Sequence, residues 1–337
     1  FFFHPHAAIR DAQESRGLGD VYKRQDINLR LKAKSLNLKA EDYLTGKIKN
    51  LNSLDLEGLV IENVKTEVID NIYENNILEK ESIFPKKKLI DNSYYILKDS
   101  KKSALIYFDA EKQTINRVDK TAITGIKPRN AEQAFAIHSL LNDNFSLVSI
   151  NGVAGTGKTL LALASAISQR RDYKQIFVAR PIVPLSNKDI GYLPGDINSK
   201  INPYMEPLWD NFKYIQNQFK ETSKEFKVLK NMIESEKLII QPLAYIRGRS
   251  FSNIYFIIDE AQNLTPHEIK TIISRAGENT KIVFAGDINQ IDTPYLDSQS
   301  NGLSYLIDKL KGQKLYSHVT LRKGERSELA NLANDLL

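Results

Sequence analysis

Gly152-Val-Ala-Gly-Thr-Gly-Lys-Thr159 is a glycine-rich loop closed by Lys-Thr, with the spacing G-x-x-x-x-G-K-[ST] of a phosphate-binding turn. The run before it, Phe145-Ser-Leu-Val-Ser-Ile-Asn151, is short and mostly apolar and reads as a buried parallel strand. The run after it, Thr159-Leu-Leu-Ala-Leu-Ala-Ser-Ala-Ile-Ser-Gln169, is rich in Leu and Ala and reads as a helix. Gly152, Gly155 and Gly157 let bare amides, with that of Thr156 among them, converge on an anion. The helix N-terminus adds its partial positive charge beneath the phosphates. Lys158 is placed to reach the β- and γ-phosphates, and the Thr159 hydroxyl to take a position on Mg²⁺. A glycine turn with an accidental lysine is the plain alternative, and the agreement of strand, loop and helix argues against it. The expectation is a chain that binds ATP or GTP.

A second apolar run, Asn253-Ile-Tyr-Phe-Ile-Ile258, ends in Asp259-Glu260. In open α/β sheets the C-terminal edge of the strands is where ligands bind. Asp259 is the candidate for holding Mg²⁺ through water, and Glu260 for orienting and deprotonating the hydrolytic water. Alone, an Asp-Glu pair after a strand is as readily a helix N-cap; beside the loop, the catalytic reading wins. A third run, Thr280-Lys-Ile-Val-Phe-Ala285, ends in Gly286-Asp-Ile-Asn-Gln290. Gln290 is the candidate amide for sensing the γ-phosphate and the attacking water, with an ordinary turn as the competing reading.

Composition narrows the class without naming it. The 337 residues carry 42% hydrophobic and 26% charged residues, ordinary for a soluble globular chain. Zero cysteines exclude disulfides and thiolate metal sites. No apolar run reaches membrane-span length and nothing resembles a signal peptide, so the expected location is the cytoplasm. A net charge of +6 with a pI near 9.1 is a mild basic excess that suits a nucleic-acid partner. His138, His267 and His318 are not spaced as metal ligands and read as structural. From Arg129 onward strand and helix patterns alternate, with strands expected at 145–151, 175–180, 237–241, 253–258, 280–285 and 314–320. That alternation predicts the α/β class, a parallel sheet covered by helices on both faces. Residues 46–127 alternate in short apolar and polar pieces and predict a small β-rich connecting module. Its tyrosines are more readily core residues than RNA-stacking ones. Asn202 to Glu236 reads as helical and holds Trp209, as an insertion shaping a groove or a subunit contact.

Several further runs carry a resemblance. Arg129-Asn-Ala-Glu-Gln133, the glycine-rich loop, Arg180-Pro-Ile-Val183 and Ile190-Gly-Tyr-Leu-Pro-Gly195 are similar to the PhoH-like ATPases. So are Tyr245-Ile-Arg-Gly-Arg249, Asp259-Glu-Ala-Gln-Asn263 and Gly286-Asp-Ile-Asn-Gln-Ile-Asp292. Ser300-Asn-Gly-Leu303 and Lys323-Gly-Glu-Arg-Ser-Glu-Leu-Ala330 resemble the subgroup with an N-terminal PIN nuclease domain. The likeness covers residues 26 to 337. It implies a RecA-like P-loop NTPase core over 128–337, with ATP-driven, Mg²⁺-dependent work on single-stranded RNA. It further implies a homo-oligomer, with a hexameric ring the form the family suggests. Gln133 would read the adenine edge, favouring ATP over GTP. Arg247 and Arg249 would contact phosphate or nucleic acid. Arg326 would act as an arginine finger, against a surface helix pairing with Glu325 and Glu328 as the competing reading. A P-loop kinase and a nucleotide-dependent binding switch without motor activity stay open as alternatives.

The beginning of the chain reads differently. Ser15-Arg-Gly-Leu-Gly-Asp-Val-Tyr-Lys-Arg-Gln25 matches one reading frame of a transposase-based sequencing adapter, and Ile9-Arg-Asp11 matches the segment before its index. Residues 1–25 are expected to be disordered translated library DNA. Residues 26–45 resemble the closing part of a PIN domain, which gathers carboxylates around Mg²⁺ or Mn²⁺ to cut RNA. Asp26 matches one of these carboxylates, and Asp42 is a further candidate. The earlier carboxylates would lie upstream, so nuclease activity is not expected of this chain.

Overall fold

The computed structural model describes residues 22–23, 32, 35, 40–41, 48, 54, 60–86, 88–183, 197–246, 250–294 and 296–324. Two compact units divide the chain, residues 1–47 and residues 48–337. In the first, β1 (Tyr22–Lys23) pairs in parallel with β2 (Ala40–Glu41). This ladder takes in two residues of the stretch set aside above as adapter translation.

In the second unit a five-strand sheet is built from β3 (Val60–Ile61), β4 (Ile77–Glu79), β5 (Tyr94–Lys98), β6 (Ser103–Asp109) and β7 (Thr114–Arg117). Its order is β3-β5-β6-β7-β4, antiparallel except for β3 on β5. Helices α1 (Thr66–Asn75) and α2 (Lys80–Ile83) belong to this region, and Ile69 and Ile72 of α1 are buried against the sheet. The sheet's tyrosines are core residues. Tyr94 stacks on Phe135 with ring centroids 5.0 Å apart, and Tyr107 meets Phe145 edge-on at 5.8 Å. The first contact fastens the sheet to α3 (Ala131–Leu141), whose first turn is capped by the Asn130 side chain accepting from Gln133 N, and the second to the segment that follows it.

The larger sheet has six strands. They are β8 (Leu147–Gly152), β9 (Gln175–Arg180), β10 (Leu238–Pro242), β11 (Ile254–Ile258), β12 (Lys281–Gly286) and β13 (Tyr316–Leu321). Every pairing is parallel, in the order β10-β9-β11-β12-β8-β13. The strands fall within two residues of where apolar patterning put them. The period-2 alternation divides their side chains between two cores. Val148, Ile150, Val178, Ile257 and Val283 face α3, α4 (Lys158–Ser168), α5 (Ile197–Gln216) and α6 (Lys224–Glu234). Leu147, Phe177, Phe256, Ile258 and Phe284 face α7 (Pro266–Ile273) and α8 (Gly302–Leu310). Both faces are therefore covered, which is why each strand reads as a nearly unbroken apolar run. Trp209 on α5 is half-buried and sits edge-on to Phe212 at 6.4 Å.

Strand order decides the site. β12 lies between the loop-bearing β8 and the Asp-Glu strand β11. Two strand spacings, about 10 Å, therefore separate the ends of β8 and β11. The first turn of α4 spans that gap. Two buried polar groups in the same core carry hydrogen bonds that tie its elements together. The Lys281 ammonium donates to the Leu140 and Asn142 carbonyls at 2.8 and 2.9 Å, closing the C-terminus of α3. Burial pulls this lysine down to about 8. Ser149 Oγ lies 2.5 Å from the Tyr316 hydroxyl and 2.7 Å from His318 Nδ1. Among the described residues no helix is long and apolar enough to cross a membrane.

Candidate active site

Between β8 and α4 the chain wraps into a tight loop. Gly155 and Gly157 have φ of 83° and 90°, the left-handed region where a side chain would be strained. Gly152 is required by close approach instead: a Cβ there would stand 2.3 Å from the Leu321 carbonyl oxygen on β13. Thr156 is fully buried and closes the loop, its hydroxyl donating to Val153 O at 2.9 Å. The Lys158 ammonium folds back over the loop and donates to Gly152 O at 2.6 Å and Val153 O at 3.1 Å. Helix α4 begins at Lys158, so its N-terminal amides stand at the end of this loop.

The Thr159 hydroxyl donates to Asp259 Oδ1 at 2.6 Å, across the gap that β12 leaves. Loop and acidic strand end thus meet in one cleft at the C-terminal edge of the sheet. Asp259 is 5% exposed. Burial raises its carboxyl above the usual range and the Glu260 charge adds to this; Arg180, the Thr159 hydrogen bond and Lys158 oppose it. Thr159 and Asp259 offer two oxygens side by side, the hard donors that Mg²⁺ takes. A divalent cation would also supply the counter-charge that this buried carboxylate is short of. The residues present therefore fit Mg²⁺.

Glu260 has left-handed backbone, φ 53° and ψ 41°, a conformation costing a non-glycine residue about 1–3 kcal/mol. Its carboxylate is held at both ends. Arg180 Nη2 donates to Oε1 at 2.5 Å and Gln262 Nε2 donates to Oε2 at 2.6 Å. Gln262 is fully buried; its Nε2 also donates to Gln290 O at 2.8 Å, and its Oε1 accepts from Asp287 N at 3.0 Å. Gly286 leaves the room for it, since a Cβ there would lie 2.3 Å from Gln262 Oε1. Asn263 similarly pins the next loop, its Oδ1 accepting from Asp292 N at 2.9 Å and Thr293 N at 3.1 Å.

Other residues singled out by sequence occupy different places. Gln133 is 5% exposed against the loop, its Nε2 donating to Thr156 O at 3.1 Å and its Oε1 accepting from Arg129 N at 2.8 Å. Half of its amide capacity is spent on that scaffold, leaving one donor and one acceptor position. Gln290 reaches the site through its main-chain carbonyl, and its side chain is exposed. Arg326, Arg247, Arg249, Asp26 and Asp42 lie outside the described residues. Arg180 and Gln262 carried no individual role in the sequence reading, although both sit inside runs quoted above. A polar residue closing one apolar strand and an amide two residues past the carboxylate pair were the signals available.

A family model described as PhoH-like protein matches residues 125–335. The chain belongs to the PhoH-like family. Protein PhoH2 of Bacillus subtilis (strain 168) is 39% identical over 338 residues, a match spanning 98% of this chain and 75% of that protein. Protein PhoH2 of Thermobispora bispora is 32% identical, spanning 96% of this PhoH-like chain and 71% of its own length. Among solved structures, the Pif1 helicase from Candida albicans is similar over 62% of this chain and 43% of its own at 18% identity. Its TM-score is 0.33. The parallel sheet, the loop between β8 and α4, and the family together make this an α/β P-loop NTPase fold.

Proposed function

We propose that this PhoH-like chain is a cytoplasmic Mg²⁺-dependent ATPase that couples hydrolysis to moving or remodelling single-stranded RNA. The observation that carries the hydrolytic part is the 2.6 Å contact of Thr159 with Asp259, with Glu260 held beside it. Triphosphate would lie on the loop amides and Lys158. Thr159 and Asp259 would hold Mg²⁺, which neutralises charge developing on the β- and γ-phosphate oxygens. Glu260 would orient water and take its proton, the carboxylate being kept in one rotamer by its two donors. Gln133 would read the adenine edge with its remaining donor and acceptor, and the exposed Gln290 amide would sense the γ-phosphate. A carboxylate fixed next to the metal-binding position favours water over a phosphoryl-accepting substrate, which sets the kinase alternative lower.

RNA as the partner rests on the net charge of +6 and on the resemblance to the PhoH-like ATPases. Assembly into a ring, with Arg326 reaching a neighbour's nucleotide, and a PIN-like segment over residues 26–45 carrying Asp26 and Asp42, belong to the same proposal. The test is phosphate release from ATP with and without Mg²⁺ and single-stranded RNA. Stimulation by RNA supports the coupling. Unchanged turnover at saturating RNA refutes it, and transfer of phosphate to another molecule without phosphate release revives the kinase.

A further inference from the structure

Arg180 is the last residue of β9, and the sheet fixes where its side chain goes. Ala179 pairs with Ile258 across β9 and β11, and Asp259 N donates to Ala179 O at 2.8 Å. The next step along each strand brings Arg180 beside the Asp259-Glu260 pair. On the other side Pro242 of β10 pairs with Arg180, so the residue is bracketed by strands. Its guanidinium lies 2.5 Å from Glu260 Oε1 and, through Nε, 3.9 Å from Asp259 Oδ2. The side chains of Arg180 and Glu260 are 21% and 29% exposed, so the contact is largely screened from water.

The ordinary account is a half-buried ion pair that helps hold two strands together. Three features ask for more. Two successive carboxylates face one cleft, an arrangement that repels unless a cation stands between them. One of them sits on left-handed backbone, which persists only where its surroundings over-determine it. The grip on Glu260 is also two-sided, Arg180 on one oxygen and the buried Gln262 on the other. A planar fork on one side and an amide fixed by β12's loop on the other leave the carboxylate little rotational freedom.

We propose that Arg180 is a positioning residue for Glu260: it fixes the carboxylate in the orientation that addresses the attacking water and offsets its repulsion from Asp259. This rests on the hydrolytic reading above and adds to it a group on a strand that carries neither the loop nor the Asp-Glu pair. Arg180 acts through Glu260 and leaves nucleotide affinity to the loop.

The experiment measures affinity for a fluorescent ATP analogue and steady-state ATP hydrolysis for wild type, Glu260→Gln, Arg180→Ala, Arg180→Lys and the Arg180→Ala/Glu260→Gln double variant. Misplacement of a catalytic group by about 1 Å costs on the order of 10²-fold, so Arg180→Ala should lose about that factor in kcat. Its KM and its affinity for the analogue should stay within about threefold of wild type, a split that general unfolding would not give. Arg180→Lys, which keeps the charge and loses the fork, should fall between wild type and Arg180→Ala. The double variant should be no slower than Glu260→Gln alone, because two residues acting as one unit are not additive. Wild-type kcat in Arg180→Ala overturns the proposal while leaving hydrolysis intact, and so do losses that multiply in the double variant. Glu260→Gln turning over like wild type overturns the hydrolytic reading and this proposal with it.

Discussion

Replacing Gln262 with methionine keeps nearly the same volume and removes only the amide, so the consequence can be worked bond by bond. Three contacts go: the acceptor for Asp287 N, the donor to Gln290 O, and the donor to Glu260 Oε2. Glu260 keeps its bond to Arg180, and Gln290 belongs to an exposed stretch where water can replace the lost donor. Asp287 is 7% exposed, so its N–H is the group left without a partner. An unsatisfied buried donor costs about 1–3 kcal/mol. For a domain of this size that is a fall in melting temperature of roughly 2–10 °C. The second effect is on Glu260, which keeps Arg180 but loses its other holder. A tenfold to hundredfold drop in kcat at unchanged KM is then expected, on the order of what small misplacement costs. Thermal unfolding followed by far-UV circular dichroism reads the first number, and ATP turnover under saturating nucleotide reads the second. Full kcat in a Gln262→Met protein that melts early would mean the amide is a structural tie and no part of the site. An unchanged melting temperature would refute the bond count itself.

Two other outcomes follow from the same geometry. Gly152→Ala puts a methyl 2.3 Å from the Leu321 carbonyl, so β8 and β13 must part. Overpacking of this kind costs about 1–3 kcal/mol, and nucleotide affinity should fall with it; an alanine variant binding nucleotide as tightly as wild type contradicts the packing. Burial holds His318 down at about 3 and His138 at about 4. The unfolded chain takes up protons below about pH 6.5 while the folded one does not, so stability falls as pH is lowered from there toward 4. His318→Gln should flatten that decline, measured as melting temperature against pH; an unaltered slope would show that the ring is not titrating as described.

Most of the fold was legible because its signals are local. The strands at 253–258 and 280–285 are read from a handful of apolar neighbours and fold as Ile254–Ile258 and Lys281–Gly286, and the loop at Gly152 to Thr159 declares itself by spacing. Asp259 and Glu260 were singled out because they end a strand. What local pattern does not carry is strand order. That β9 lies next to β11 brings Arg180 to the carboxylates, and that β12 lies on the far side brings Gln262 under Gly286. Both relations span about eighty and twenty-five residues of chain, so neither residue stood out. Gln290 illustrates the reverse. Its position after a strand was readable, but which of its groups turns inward depends on Gln262 having already taken the buried place. Buried Lys281 escaped notice for the same reason, since the carbonyls that satisfy it come from the end of α3.

The most direct test of the central claim is single-turnover hydrolysis of ATP by wild type and Glu260→Gln with Mg²⁺ present. Wild type should release phosphate, whereas Glu260→Gln should bind ATP as tightly and release it slower by about 10²–10⁴-fold, the usual contribution of a general base. Phosphate release by the Glu260→Gln protein at the wild-type rate would contradict the assignment of the cleft between Thr159 and Asp259 as the place where ATP is cut.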